Sequence, residues 1–356
     1  MKKQSLATKR AIERGYFDKD GTWYCEFKTS PIKGLEPEVG VHRRDPSSII
    51  LLDDTYYMWF SKSYGESVGF GTGDLEAKVF PWDKAEIWYA SSKDGYTWKE
   101  EGPAILRGER GRYDDRSCFT PEILHHDGMF YLTYQVVKHP YVNRVRENIA
   151  IACSSSPHGP WTKSETPILE PSTDGEWEGT EDNRFLVKKH GSFDSLKVHD
   201  PVLFFFNDKY YLYYKGEPMG ENMYMGGRET KWGVATATDP MGPYTKSEYN
   251  PVSNSGHETL LWKYNGGMAA LLCTDGMERN TMQYAKDGIN FEIMGAIKNA
   301  PEAAGPFRVN EKDMRAPLDG LRWGLSHVVT TDWNYIIRFD IDEDLKMKYL
   351  NKKTYE

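Results

Sequence analysis

Residues 199–216 read HDPVLFFFNDKYYLYYKG: a polar pair, a proline, an apolar run, a turn at Asn207-Asp208, then a run rich in tyrosine. Apolar and aromatic runs bounded by a tight turn are the signature of a β-hairpin. The layout recurs as RRDPSSIILLDDTYYMWFSK (43–62), FTPEILHHDGMFYLTYQV (119–136) and SNSGHETLLWKYNGGMAALLC (253–273). Each copy is followed by a second hairpin, and these close on Trp98, Trp161, Tyr244 and Phe291. Two hairpins make a four-stranded sheet, and four-stranded sheets in tandem make propeller blades.

A fifth, weaker copy is WGLSHVVTTDWNYIIRFDI (323–341), with room for only part of a blade. The segment GTWYCEF (21–27) is expected to supply its missing outer strand and close the ring. The fold expected is therefore all-β: a five-bladed β-propeller over residues 21–350, preceded by a short helical arm over 1–20. In the arm, SLATKRAIERG reads as a helix capped by Ser5 and stopped by Gly15. A β-sandwich of similar hairpins is the alternative.

Composition narrows the function. A hydrophobic share of 39% over 356 residues supports a sizeable core, and the many aromatics suit both strands and sugar-binding surfaces. The net charge of −8, with acids and bases interspersed, excludes a basic nucleic-acid footprint and a polybasic membrane patch. Cys25, Cys118, Cys153 and Cys273 are scattered without a CxxC pair, so reduced core thiols are expected. No apolar run reaches the ~18 residues of a membrane span, and the N-terminus lacks the apolar region of a signal peptide. A cytoplasmic protein is expected, or a periplasmic one if a leader has been removed.

In a propeller, the first residues of the innermost strands crowd around the axis. The repeat places Asp45, Thr120, Asp200 and His257 there. Two carboxylates and a His-Glu pair around a concave mouth suit general acid–base chemistry. An inverting glycosidase needs a base to activate water and an acid to protonate the leaving oxygen, roughly 6.5–9.5 Å apart. Histidine can serve as that acid when a carboxylate supports it. Glu258 follows His257 directly, and in a strand the two side chains would point to opposite faces. Pairing them needs a bend at the strand start, and Asp200 is the alternative partner. The bland reading of His257 is an ordinary turn histidine.

The motif S-x-A-x-x-R is met by SLATKR (5–10). It is followed in order by HRRDPS (42–47), KVHDPV (197–202) and SGHE (255–258), with VFPWDK, EDNRFLVK, GSFDS and NMYMGGRE between. Over most of its length the chain thereby resembles glycoside hydrolase family 117, the α-1,3-L-neoagarooligosaccharide hydrolases. The resemblance implies a five-bladed propeller that releases 3,6-anhydro-L-galactose from the non-reducing end of neoagarobiose and longer neoagarooligosaccharides, with inversion. It implies that Asp45 is the base and His257 the acid, with Asp200 and Glu258 tuning the histidine and holding the sugar. Arg44, Thr120, Glu122, Gln135 and Lys215 match family positions near the sugar, and Trp82 is expected to stack on a ring face. Gln135 and Lys215 also allow a simpler reading as solvent-facing strand ends. The resemblance further implies a homodimer formed by swapping the arm, with Ser5, Ala7 and Arg10 at the interface. A divalent cation near the axis is implied too, with His327 as its candidate ligand. An arabinofuranosidase and a sugar-binding propeller without catalysis are the competing functions.

Overall fold

The structure, a computed structural model, describes residues 3–13, 15, 23–224 and 227–344. Five antiparallel four-stranded sheets follow one another along the chain. In blade I the inner strand is split into Val41–Arg44 and Ile50–Leu52, and both halves pair with Thr55–Tyr64. The inner strands of blades II, III and IV are Ser117–His126, Lys197–Phe206 and Glu258–Tyr264. Blades II and III also touch edge to edge, through a parallel bridge from Lys197 to Glu147.

The blades pack face to face through buried aromatics, because each sheet face is apolar and must be covered by its neighbour. Trp59 of blade I meets Trp161 of blade II edge-on, with centroids 6.0 Å apart. Between blades IV and V, Trp23, Trp262, Leu271 and Phe339 form one buried cluster. None of the four cysteines forms a disulfide.

Blade V departs from the sequence reading. The hairpin 323–341 supplies its second and third strands, Trp323–Val328 and Tyr335–Ile341, not its inner ones. The inner strand is the two-residue Gly305–Pro306, which has no apolar run to announce it. The ring is closed by an N-terminal strand as expected, but that strand is Phe27–Pro31. Trp23, Tyr24 and Cys25 are buried in the core instead, and Gly21 and Thr22 lie outside the described residues.

The inner strands share one backbone device. Asp45, Thr120 and Asp200 have φ of 49°, 47° and 48°, and Ala303 of blade V has φ of 41°. At Thr120 and Asp200 this left-handed residue sits in a β-bulge, where the register to the second strand jumps from Phe119 to Glu122 and from His199 to Val202. A bulge re-aims the side chain, here toward the axis. Such a conformation costs about 1–3 kcal/mol per non-glycine residue and must be held by neighbours. The Thr120 N–H donates to Ser61 Oγ at 2.8 Å, and the Asp45 N lies 3.2 Å from His327 Nδ1. The inner strand of blade IV has no bulge, and Glu258 pairs regularly with Cys273.

The arm forms the expected helix, Leu6–Glu13, with the Thr8 N–H donating to Ser5 Oγ at 3.1 Å. It docks against residues 250–255 and 278–291 of the same chain, burying Ser5 and Ala7. Residues 14 and 16–22, between arm and propeller, lie outside the described residues.

Candidate active site

The axis holds a small cavity whose walls include Asp45, Thr120, Asp200, Glu258 and Ala303, one residue from each blade. The blade IV member of this ring is thus Glu258, one residue beyond the position read from the repeat. The first three copies carry a proline after the slot residue, and blade IV has Thr259 there. With no proline and no bulge, blade IV counts one residue differently. His257 stands beside the ring, its Nε2 3.8 Å from Glu258 Oε1.

Neither partner considered for His257 proves to be its hydrogen-bond partner. Its Nδ1 meets Asp275 Oδ2 at 2.8 Å. Asp275 lies in the turn after Gly267–Cys273, the second strand of the blade. A carboxylate on Nδ1 orients the imidazole and leaves Nε2 toward the site. The loop before His257 is braced by Trp232, which also lines the cavity and donates Nε1–H to the Gly256 carbonyl at 2.5 Å. The turn CTDG after an apolar strand was the available signal for Asp275; Trp232, 25 residues from His257, gave none.

Neighbours on the inner and second strands set the charge of the ring. In blade I, Ser61 donates to Asp45 Oδ2 at 3.1 Å, His327 Nδ1 lies 3.2 Å from Oδ1, and Arg44 Nη2 lies 3.7 Å from Oδ1. Burial alone would raise the Asp45 pKa, but Arg44 and His327 outweigh it and hold the carboxyl well below the usual range. In blade III, Lys215 is buried and ion-paired with Asp200, so it does not face solvent. Burial still raises the Asp200 pKa against the pull of Lys215. In blade IV the facing residue is Cys273, which brings no charge. Burial, reinforced by the negative charges of Asp200 and Asp45, pushes Glu258 up to about 7 against the pull of Lys215 and His257. Around one cavity stand a carboxylate kept ionised and a carboxyl whose proton is lost only near neutrality, the pairing that divides acid and base roles.

The remaining candidates are placed variously. Thr120 is on the ring. Arg44 lies beside Asp45, bonds Asn334 Oδ1 at 3.0 Å, and sets its guanidinium 5.0 Å from the Trp82 ring. Trp82 stacks on Phe80 at 4.6 Å and donates to the Tyr141 hydroxyl at 2.9 Å, so its ring is already engaged. Gln135 is buried and donates to Glu147, which also accepts from Tyr141 at 3.0 Å and pairs with Lys197 at 2.6 Å. Glu122 lines the cavity, but its carboxylate accepts from the Ser48 N–H at 3.1 Å and from Arg308 at 2.9 Å.

His327 spends Nδ1 on Asp45. Among the described residues, no three His, Cys, Asp or Glu side chains converge as metal ligands. At most two such side chains, His327 and Asp45, stand ready for a cation whose shell water would complete, and no step below runs through a metal.

The profile of Glycosyl hydrolases family 43 matches residues 35–179. The structure is similar to sucrose-6-phosphate hydrolase from Lactobacillus gasseri, with TM-score 0.57 and 16% identity over 86% of this chain and 60% of that one. It is also similar to RS223-β-xylosidase, with TM-score 0.54 and 14% identity over 86% and 94%. Those two likenesses speak for the fold. No curated protein matches the chain. Fold and matching profile together define a β-propeller glycoside hydrolase. Zg3597, a family 117 glycoside hydrolase of the marine bacterium Zobellia galactanivorans, is 35% identical over 91% of this chain and 92% of its own, with TM-score 0.74. The chain belongs to glycoside hydrolase family 117.

Proposed function

We propose that this protein is an exo-acting, inverting hydrolase of neoagarooligosaccharides that cleaves the α-1,3 linkage and releases 3,6-anhydro-L-galactose from the non-reducing end. The observation that carries the reading is the division of charge in the ring, with Asp45 ionised and, in blade IV, Glu258 raised to about 7 with the His257 imidazole 3.8 Å from it. Asp45 takes a proton from water as the water oxygen bonds to the anomeric carbon. The bond from that carbon to the glycosidic oxygen breaks, and His257, held by Asp275, gives its proton to the leaving oxygen. Asp200 and Glu258 keep the histidine in a negative or polar setting and hold the sugar, with Arg44, Thr120 and Lys215 close by. Arg44 also bears on Trp82, so a sugar stacking on that ring would displace the guanidinium.

A second assignment of the acid is favoured by one observation: Glu258, not His257, lines the cavity with Asp45 and carries a pKa of about 7. We further propose that the protein is a homodimer in which the arm groove at Asn254, Glu278 and Phe291 receives the partner's helix. Light scattering of wild type and Arg10→Ala tests this: a monomeric wild type removes the proposal.

The deciding experiment incubates the protein with neoagarobiose and follows 3,6-anhydrogalactose and galactose, with proton NMR of the first-formed anomer. Wild type, Asp45→Asn, His257→Ala and Glu258→Gln are compared. Release with inversion that is abolished in Asp45→Asn and His257→Ala supports the reading. A near-normal rate in His257→Ala with loss in Glu258→Gln moves the acid to Glu258. Binding without release by the wild type rejects the hydrolase reading for this sugar.

A further inference from the structure

The turn that presents Asp275 to His257 is not self-supporting. Thr274, Asp275 and Gly276 are three consecutive residues with positive φ, at 43°, 45° and 86°. Two of them carry side chains, so this shape has to be imposed from outside. The backbone ties to the His257 segment are long: the Gly256 N–H to the Asp275 carbonyl and the His257 N–H to the Thr274 carbonyl are both 3.4 Å. Such bonds sit beyond the usual N–H···O range and hold little.

What clamps the turn is Glu278. Its side chain is fully buried, and its N–H donates to Ser255 Oγ at 2.7 Å. Its carboxylate accepts from Asn254 Nδ2 at 2.8 Å and from Gln283 Nε2 at 3.0 Å. Glu278 thereby ties the 254–255 segment, which leads into His257, to the turn that carries Asp275. The cation in this set is Arg10 of the arm, with Nε at 2.9 Å and Nη2 at 3.2 Å. The arm also accepts from Asn254 Nδ2 through the Ala7 carbonyl at 2.7 Å, and Arg10 Nη1 reaches the Phe291 carbonyl at 2.5 Å. A buried carboxylate that loses its cation does not stay buried, so a departing arm releases Glu278, and the turn follows.

We propose that the docked N-terminal helix is a positioning element for the proton-donating side of the site: Arg10, through Glu278, holds the 274–278 turn in the shape that sets Asp275 on His257 Nδ1. This rests on the reading of His257 as proton donor. The helix of this chain or of a partner chain would serve equally, since the groove is the same. Without a helix in the groove the site is incomplete. The charged groups nearest the imidazole are Asp275 at 2.8 Å and Glu258 at 3.8 Å, with Asp200 also within electrostatic reach, and Asp275 receives a backbone N–H from Arg228.

The test uses full-length protein labelled with 15N-histidine, as wild type, Arg10→Ala and Glu278→Gln, with His257→Ala assigning the His257 signals. The Nδ1–H tautomer bonded to a carboxylate is expected in wild type and lost in both variants, with kcat on neoagarobiose about 10-fold lower and KM unchanged. Arg10→Lys, which keeps the charge, is expected to restore part of both. Thermal melts show whether each variant is folded, and Glu278→Gln carries the test if Arg10→Ala is not. An unchanged His257 spectrum in the folded variants overturns the proposal. A His257→Ala enzyme of normal rate overturns the proton-donor reading instead, and the spectra still decide whether the arm holds the turn.

Discussion

At blade I the ring carboxylate is Asp45, and at blade IV it is Glu258. Both border one cavity, Asp45 from the break in its inner strand and Glu258 from the start of its own, and both are largely buried. Their surroundings drive them apart. Asp45 has a guanidinium, an imidazole and a hydroxyl within reach, so its charge is stabilised. Glu258 is largely buried, faces two acids across the cavity and has no cation opposite it on the second strand, so its proton is stabilised. In a repeated architecture the inner strand supplies the acid, and burial together with the charges around it, Arg44 on the same strand and His327 and Lys215 on second strands, decides which proton state it keeps.

The largest effect is expected at the ionised end. Asp45→Asn should lower kcat by roughly 10²–10⁴-fold with little change in KM, the range for loss of a general base. Stopped assays on neoagarobiose check this, and a loss below tenfold would remove Asp45 from the base role. Next is His257→Ala, expected to cost about 10²-fold or more on the natural sugar. An aryl glycoside, whose leaving group needs no proton, should narrow that loss. An equal loss on both substrates would point to misplacement of the sugar instead.

Lys215→Met tests the blade III contribution. Lys215 lowers the pKa of both Asp200 and Glu258, so its removal lets both rise. Under the second assignment, with Glu258 as the acid, the alkaline limb of kcat/KM falls near the pH of about 7 at which Glu258 loses its proton, and it should move up by about one unit or more. A limb that stays in place or moves down contradicts the electrostatic account.

Glu258→Gln reads the same carboxyl through stability. Its pKa is raised from 4.5 to about 7 on folding, so the fold favours the protonated form. Its penalty is absent below pH 4.5, grows between 4.5 and about 7, and is constant above that. Gln should therefore raise Tm at pH 8 and leave it unchanged at pH 4, with a gain of at most about 3 kcal/mol. Equal melting shifts at both pH values would disprove the raised pKa. The smallest effect is expected from chelation: prolonged EDTA should leave the rate unchanged, and a loss restored by one divalent cation would place a metal beside His327 and Asp45.

Much of the architecture was legible along the chain. Hairpins follow from apolar and aromatic runs separated by tight turns such as Asp127-Gly128 and Asn207-Asp208, local signals that need no long-range knowledge. The slots of blades I to III were legible because Asp45, Thr120 and Asp200 each precede a proline. Blade IV was read one residue early, because without that proline nothing in 253–260 marks where the strand starts. Ala303 was missed because its two-residue strand has neither an apolar run nor a polar head.

By itself, then, the sequence determined the number of blades, the ring-closing role of the N-terminal segment, the capped helix of the arm and the acids that could meet at the axis. Tertiary structure alone decided which residue completes the ring, that Asp275 holds His257, that Lys215 is buried against Asp200, and that Arg10 reaches Glu278 across 268 residues of chain. The division has one cause. Strands and turns are specified by neighbours along the chain, whereas the proton state and aim of an acid depend on charges that only the closed ring of blades brings within a few ångströms.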